Sequence, residues 1–258
     1  MLKKSAIILS IAAATSFAEW DYYGVPEVGH GTVSLAGHYW YNGDYHSTDL
    51  DVNAFVGVFK NLGLSVQGLG YQFFGDPNDE TEEGKGFKDL TVGLKYALGS
   101  NAGVFIDVGI PSGADEVTND TWSVKGGFSW VIPVTEKLGI GNEFGLTIPF
   151  EHDGVNPGIS ANYGFEIYYN YESGFTPFFG FVFASQLTDT VVKTKKEHHP
   201  GHFIEEREES GAGTSNISFW FGSTYNVNKH LSFSLYTDIE YAPAAYYSGY
   251  ILKASYNF

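Results

Sequence analysis

From about residue 30 to the end, apolar residues recur at every second position, in blocks of roughly ten to fourteen. Leu90, Val92, Leu94, Tyr96 and Leu98 alternate with Thr91, Gly93 and Lys95. Ala102, Val104, Ile106, Val108 and Ile110 follow, and then Trp122, Val124, Gly126, Phe128, Trp130 and Ile132 against Ser123, Lys125, Gly127 and Ser129. Leu138, Ile140, Phe144, Leu146 and Ile148 oppose Gly139, Gly141, Glu143 and Gly145. A period of two over such lengths predicts β-strands with one apolar and one polar face. Twelve blocks are predicted, at 31–41, 48–60, 62–74, 87–98, 101–110, 120–132, 137–150, 158–171, 174–188, 214–226, 230–241 and 246–258. In the third, Leu69 and Phe73 fall on the wrong parity.

The connections sort into two kinds. After even-numbered blocks they are tight turns, at Asn61, Gly99-Ser100, 133–136, Glu172-Ser173 and 227–229. After odd-numbered blocks they are mostly long and polar, at 42–47, 75–86, 111–119, 151–157, 189–213 and 242–245. An even strand count with short turns at one end and long loops at the other predicts an all-β fold, a transmembrane antiparallel up-and-down β-barrel of about 12 strands over residues 31–258. A soluble sandwich alternates too, but its strands average about 5–6 residues. Strands of ten or more suit a tilted bilayer crossing.

Aromatic placement fits the same fold. Trp122 and Trp130 are eight residues apart, roughly 20 Å along the membrane normal at ordinary strand rise and tilt. Tyr39, Phe150, Tyr241 and Tyr250 fall toward the outer rim, and Tyr169, Tyr171, Phe175, Tyr225 and Tyr256 toward the periplasmic one. The chain ends Tyr250, Leu252, Ala254, Tyr256, Phe258. An aromatic last residue with apolar partners two apart is an assembly signal for outer-membrane barrels, here carried by Tyr256 and Phe258.

Composition narrows the class. The 258 residues include 17% aromatics and 32 Gly, yet mean hydropathy is only −0.13, as averaging over two opposite faces would give. With 30 acidic and 14 basic side chains the net charge is −16, which excludes a basic nucleic-acid binder. The absence of Cys excludes disulfides and thiolate sites.

Residues 1–18 are predicted to be a cleaved signal peptide. Lys3 and Lys4 are its positive region, residues 6–14 its apolar stretch, and Ser16-Phe17-Ala18 its small-residue exit. Cleavage after Ala18 removes two of the 14 basic residues, so the balance moves from −16 to −18. Residues 19–30, with Pro26, form a short N-terminal segment that plugs the lumen or lies in the periplasm.

Twelve strands lie between eight, where side chains fill the interior, and sixteen, which leave an aqueous channel. Parity sends Asp51, Asp89, Asp107, Glu143, Glu166, Asp238 and Glu240 to the lumen, against Lys95, Lys125 and Lys253. They form either compensating pairs or a conduit whose acidic excess favours cations and neutral polar solutes. In the fifth long loop His198, His199 and His202 are candidate ligands for Zn²⁺, Ni²⁺ or Cu²⁺, with a flexible solvated loop as the alternative. Asp76, Asp79, Glu80, Glu82 and Glu83 give the second loop an acidity that bridging divalent cations would share, without EF-hand spacing. No Gly-x-Ser-x-Gly occurs, and of eight His only His38 lies well inside a strand, pointing inward. Neither an enzyme nor a cofactor is expected.

Residues 88–98 (KDLTVGLKYAL) and 103–116 (GVFIDVGIPSGADE) resemble the D-L-x-x-G-L-K-Y strand and following P-x-G loop of the phenol meta-pathway outer-membrane family. The resemblance implies a barrel that passes small, hydrophobic molecules; the charged interior read from parity departs from a hydrophobic passage. The expected function is an outer-membrane channel or transporter for small solutes. The alternative is a closed barrel that binds or builds surface structure through its long loops. Expected partners are outer-membrane lipid and lipopolysaccharide, the barrel-assembly machinery, small solutes and divalent cations at the acidic loops, with no nucleic acid.

Overall fold

The computed structural model describes residues 24–42, 46–76, 79–115, 117–118, 121–152, 154–199, 202–242 and 245–258. The expected signal peptide, residues 1–18, lies outside them. The described residues form sixteen strands: β1 Gly31–Tyr41, β2 His46–Phe59, β3 Leu62–Asp76, β4 Asp79–Phe87, β5 Leu90–Ala97, β6 Ala102–Ile110, β7 Ser123–Pro133 and β8 Leu138–Pro149 come first. They are followed by β9 Val155–Asn156, β10 Ser160–Tyr169, β11 Phe175–Gln186, β12 Thr190–His199, β13 His202–Ser210, β14 Ser215–Asn226, β15 Leu231–Ala242 and β16 Ala245–Asn257.

Twelve of these close a barrel. Each of β1, β2, β3, β5, β6, β7, β8, β10, β11, β14, β15 and β16 pairs antiparallel with its neighbours in the chain. The ring is sealed by β1 against β16, from Thr32↔Asn257 to Tyr41↔Ser248. Closure pairs the backbone polar groups between strands and leaves no edge, which is what a strand-built structure needs in hydrocarbon.

The polarity of the two faces is inverted relative to a soluble protein. Large apolar side chains face outward and are exposed, among them Leu94, Val104, Ile106, Phe128, Phe144, Leu146, Phe183, Leu235 and Leu252. The buried set is mostly polar: Ser34, Asp49, Asp51, Lys95, Ser129, Glu143, Glu166, Ser218, Ser234, Asp238, Glu240 and Lys253. Most exposed tyrosines lie toward the strand ends. Tyr169, Tyr171 and Phe175 contact one another at the turn end, with ring centroids 4.7 and 6.2 Å apart in sequence. At the loop end Tyr241 and Tyr246 meet at 5.3 Å. Tyr256 and Phe258 are both exposed, and the Phe258 carbonyl accepts the Gly31 N–H at 3.1 Å.

The parity break in the third block has a structural cause. Register runs Val52↔Leu69 and then Ala54↔Val66, so Gln67 and Gly68 face the single residue Asn53. This is a β-bulge. Gly68 adopts φ +78°, which suits glycine, and its N–H is held by the Asn53 side chain at 3.1 Å. One extra residue flips every later side chain, which is why Leu69 and Phe73 are exposed although they share parity with the inward Gly63 and Ser65.

Two long connections expected as loops contain strands. In the 75–86 segment, β4 folds back on the upper part of β3, from Tyr71↔Phe87 to Asp76↔Asp79. In 189–213, β12 and β13 form an antiparallel hairpin from Thr190↔Ser210 to His199↔His202, with β9 alongside. The flexible-loop expectation is thereby corrected for the backbone, which pairs as a two-stranded antiparallel ribbon. The side chains of His198, His199 and His202 lie outside the description.

Residues 24–30 return to the turn-end mouth. Gly57 on β2 bonds His30 and Gly29 through its N–H and C=O, both at 2.9 Å. Its missing side chain leaves room for the backbone of Pro26 and Glu27, and Val25 reaches Gly63. This stretch packs against inward-facing positions rather than hanging free below the barrel.

Candidate functional site

The interior is the candidate site. Its polar side chains are delivered by strand period alone, because every second residue of twelve tilted strands points to one axis. Seven described carboxylates (Asp49, Asp51, Asp107, Glu143, Glu166, Asp238, Glu240) and four ammonium groups (Lys88, Lys95, Lys125, Lys253) lie on it.

On the β1–β3 wall near the loop end, Asp49 and Asp51 converge on Lys88. The Lys88 Nζ is 3.3 Å from Asp49 Oδ2 and 3.0 Å from Asp51 Oδ2. His38 Nε2 lies 3.4 Å from the same Asp51 oxygen. Ser47 donates to Asp49 at 3.0 Å and is itself held by Gln72 at 2.9 Å. Gly70 permits this, since any side chain there would collide with the Asp51 carboxylate. Lys88 lies between strands, at the break that separates β4 from β5. Burial alone would lower its pKa, but Asp49 and Asp51 outweigh burial and hold it above the usual lysine value. The cation therefore ties the outer hairpin to the barrel wall.

On the β7–β8 wall, Lys125 Nζ donates to Glu143 Oε1 at 2.9 Å, with Glu143 only 1% exposed. The same ammonium sits 4.9 Å over the Phe105 ring, a favourable cation–π contact. Gly145 leaves the space in which Lys125 and Asn162 meet. Beside it, Phe55, Ser65, Gln67, Leu94, Lys95, Phe105 and Asp107 line a small cleft in the interior wall.

The β10–β15 wall is aromatic toward the turn end. Trp220 is 3% exposed and packs with Phe178, Val182, Tyr168 and Tyr236. Its indole N–H donates to Glu166 Oε2 at 2.9 Å, so the buried carboxylate is satisfied by an aromatic neighbour. Trp220 lies over Gly180, where a side chain would collide with the indole. Nearer the loop end, Asn216 donates to Glu240 at 2.7 Å, with Asp238 two residues away on the same face.

Nine of the ten sequence-proposed lumen residues lie on barrel strands. Asp89 does not. It stands just before β5, and its Oδ1 accepts the backbone N–H groups of Ser112 and Gly113 at 3.0 and 2.9 Å. It braces a loop instead of lining the interior, because the strand begins at Leu90 rather than residue 87. Sequence reading missed Asp49, whose parity equals that of Asp51, and Lys88, which no periodicity could reveal. Among described residues no group of three or more His, Asp or Glu is placed to hold a metal ion.

A closed twelve-stranded barrel, apolar outside and charged inside, defines an outer-membrane β-barrel. The family described as "Putative MetA-pathway of phenol degradation" matches residues 30–256, and the chain belongs to it. Among solved structures, the chain is similar to the COG4313 outer membrane channel from Pseudomonas putida F1, with TM-score 0.69 and 14% identity over 94% of this chain and 100% of that one. The NanC porin follows at TM-score 0.52, 11% identity, covering 87% and 98%. The transport unit of the autotransporter AIDA-I from Escherichia coli gives 0.51 and 11%, covering 98% of each chain. No curated protein sequence matches. At these identities the likeness is one of fold.

Proposed function

We propose that the protein is an outer-membrane channel for small solutes, with an interior selective for cations and neutral polar molecules over anions. The observation that carries this is the interior itself, where seven described carboxylates face four ammonium groups. An excess of one sign in a low-dielectric tube raises the local concentration of the opposite ion. The aromatic wall around Trp220 offers a stacking surface to a flat solute, in keeping with a family named for phenol breakdown. Residues 1–18 direct export and are cleaved from the exported chain, and Tyr256 and Phe258 present the assembly signal; the N-terminal residue of the mature protein, expected to be Glu19, checks the cleavage.

The test is solute flux into proteoliposomes. Swelling should be faster with small amines and neutral phenols than with carboxylates of equal size. Equal rates for all three, or rates no higher than in protein-free vesicles, would refute the proposal.

A second reading is favoured by tight burial of interior side chains, such as Glu240 at 0% and Ile251 at 2% exposure. A closed barrel would act through its outer hairpins. Deleting 192–209 separates the two, since a channel keeps its flux and a surface binder loses its ligand.

A further inference from the structure

The upper β14–β15 wall carries two carboxylates that no cation among the described residues pairs with. Asp238 and Glu240 stand at alternate positions of β15, both inward, 6% and 0% exposed. None of the ion pairs among the described residues involves either. Glu240 Oε1 receives the Asn216 amide at 2.7 Å, while Glu240 Oε2 and Asp238 Oδ1 are buried with no hydrogen-bond partner. Directly opposite Glu240 on β14 is Ser218, 2% exposed, whose hydroxyl is likewise buried and unpartnered. Three buried oxygens without hydrogen-bond partners thus lie at neighbouring inward positions of a single strand pair.

Buried charge is rarely left bare; it is paired or it coordinates a metal ion. Each of these atoms is a hard oxygen, two of them from carboxylates whose combined charge matches one divalent ion. Alternate residues on a strand sit roughly 7 Å apart, so Asp238 and Glu240 can bracket an ion from one side while Ser218 closes it from the next strand. Oxygen-only donors with flexible spacing suit Ca²⁺ better than the strict octahedron of Mg²⁺. We propose that Asp238, Glu240 and Ser218 form a binding site for a hard divalent cation of the Ca²⁺ class in the lumen wall. This goes beyond conduction, because the site is built into the wall and holds the ion whether or not solute passes.

Trp220 pairs directly opposite Asp238, which supplies the readout. Metal-stripped, detergent-solubilised barrel is titrated with Tb³⁺ under tryptophan excitation, and Ca²⁺ is added to displace it. Saturable Tb³⁺ emission, reversed by Ca²⁺, is expected. The Asp238→Asn/Glu240→Gln variant should weaken it by roughly tenfold or more, with Ser218→Ala in between. Trp220→Phe should dim the emission without moving its midpoint. Glu80→Gln/Glu82→Gln/Glu83→Gln in the outer hairpin should leave both unchanged. Heat-modifiable gel migration verifies folding, and the shape-conserving single change Asp238→Asn serves where the double variant does not assemble. A titration curve identical in wild type and Asp238→Asn would overturn the proposal, as would emission removed by the outer-hairpin changes alone.

Discussion

Replacing Lys125 by Met isolates the energetics of a charged pair inside the barrel. Lys125 and Glu143 meet at 2.9 Å, with side-chain exposures of 15% and 1%. At an effective dielectric near 20 the gross attraction is about 6 kcal/mol, most of it offset in the folded barrel by desolvation. Met fills similar volume but leaves the Glu143 carboxylate buried without its cation, a change that typically costs about 3–5 kcal/mol. The variant should therefore unfold about 3–5 kcal/mol more easily than the wild type at pH 7. Adding Glu143→Gln should recover most of the loss. The assay is reversible urea unfolding in phospholipid vesicles at pH 7. A loss under about 0.5 kcal/mol, or one that Glu143→Gln leaves unchanged, would refute the reasoning.

Other substitutions probe different parts of the wall. Lys88→Ala leaves Asp49 and Asp51 side by side without their shared cation and should destabilise the barrel by about 2–4 kcal/mol, while Lys88→Ala/Asp51→Asn recovers part of it in the same unfolding assay. Trp220→Phe keeps the aromatic packing but removes the bond to Glu166, and unfolding should report a loss of about 1.5–3 kcal/mol. Leu252→Arg places a charge on the lipid face midway along β16, where exposure is 61%; in vesicles it should cost about 2–4 kcal/mol, and in detergent much less. Removing Phe258 should lower the amount of folded barrel in the outer membrane while leaving refolding of purified chain into detergent intact, as quantified by heat-modifiable migration.

Much of this architecture was legible in the residue pattern because membrane strands obey one simple rule, with lipid on one side and the lumen on the other. The first block, 31–41, coincides with β1, and the tight turn at Asn61 sits where φ is +66°. Inward assignments of Glu143, Glu166, Asp238 and Glu240 needed only period two. The failures arise where another influence overrides the period. The Gly68 bulge reverses parity within one strand, and it rests on a long-range bond from Asn53. Asn142 lies at an outward position yet is only 4% exposed. Trp130 stands directly opposite it and the Tyr163 hydroxyl donates to it at 2.7 Å, a cover that no strand pattern contains. Lys88 reaches the interior from a break between strands, and Asp89, one residue on, turns to a neighbouring loop. Such contacts depend on which strands become neighbours, and period alone does not carry that information.

Cation-selective conduction requires a water-accessible, acidic interior. Single-channel recording across a planar bilayer with a tenfold KCl gradient tests it most directly. Discrete conductance steps with a reversal potential of the sign set by K⁺, moved toward zero by Asp49→Asn/Asp51→Asn/Glu143→Gln, are predicted. A reversal potential of the opposite sign, or a bilayer that stays silent with folded barrel inserted, would contradict it.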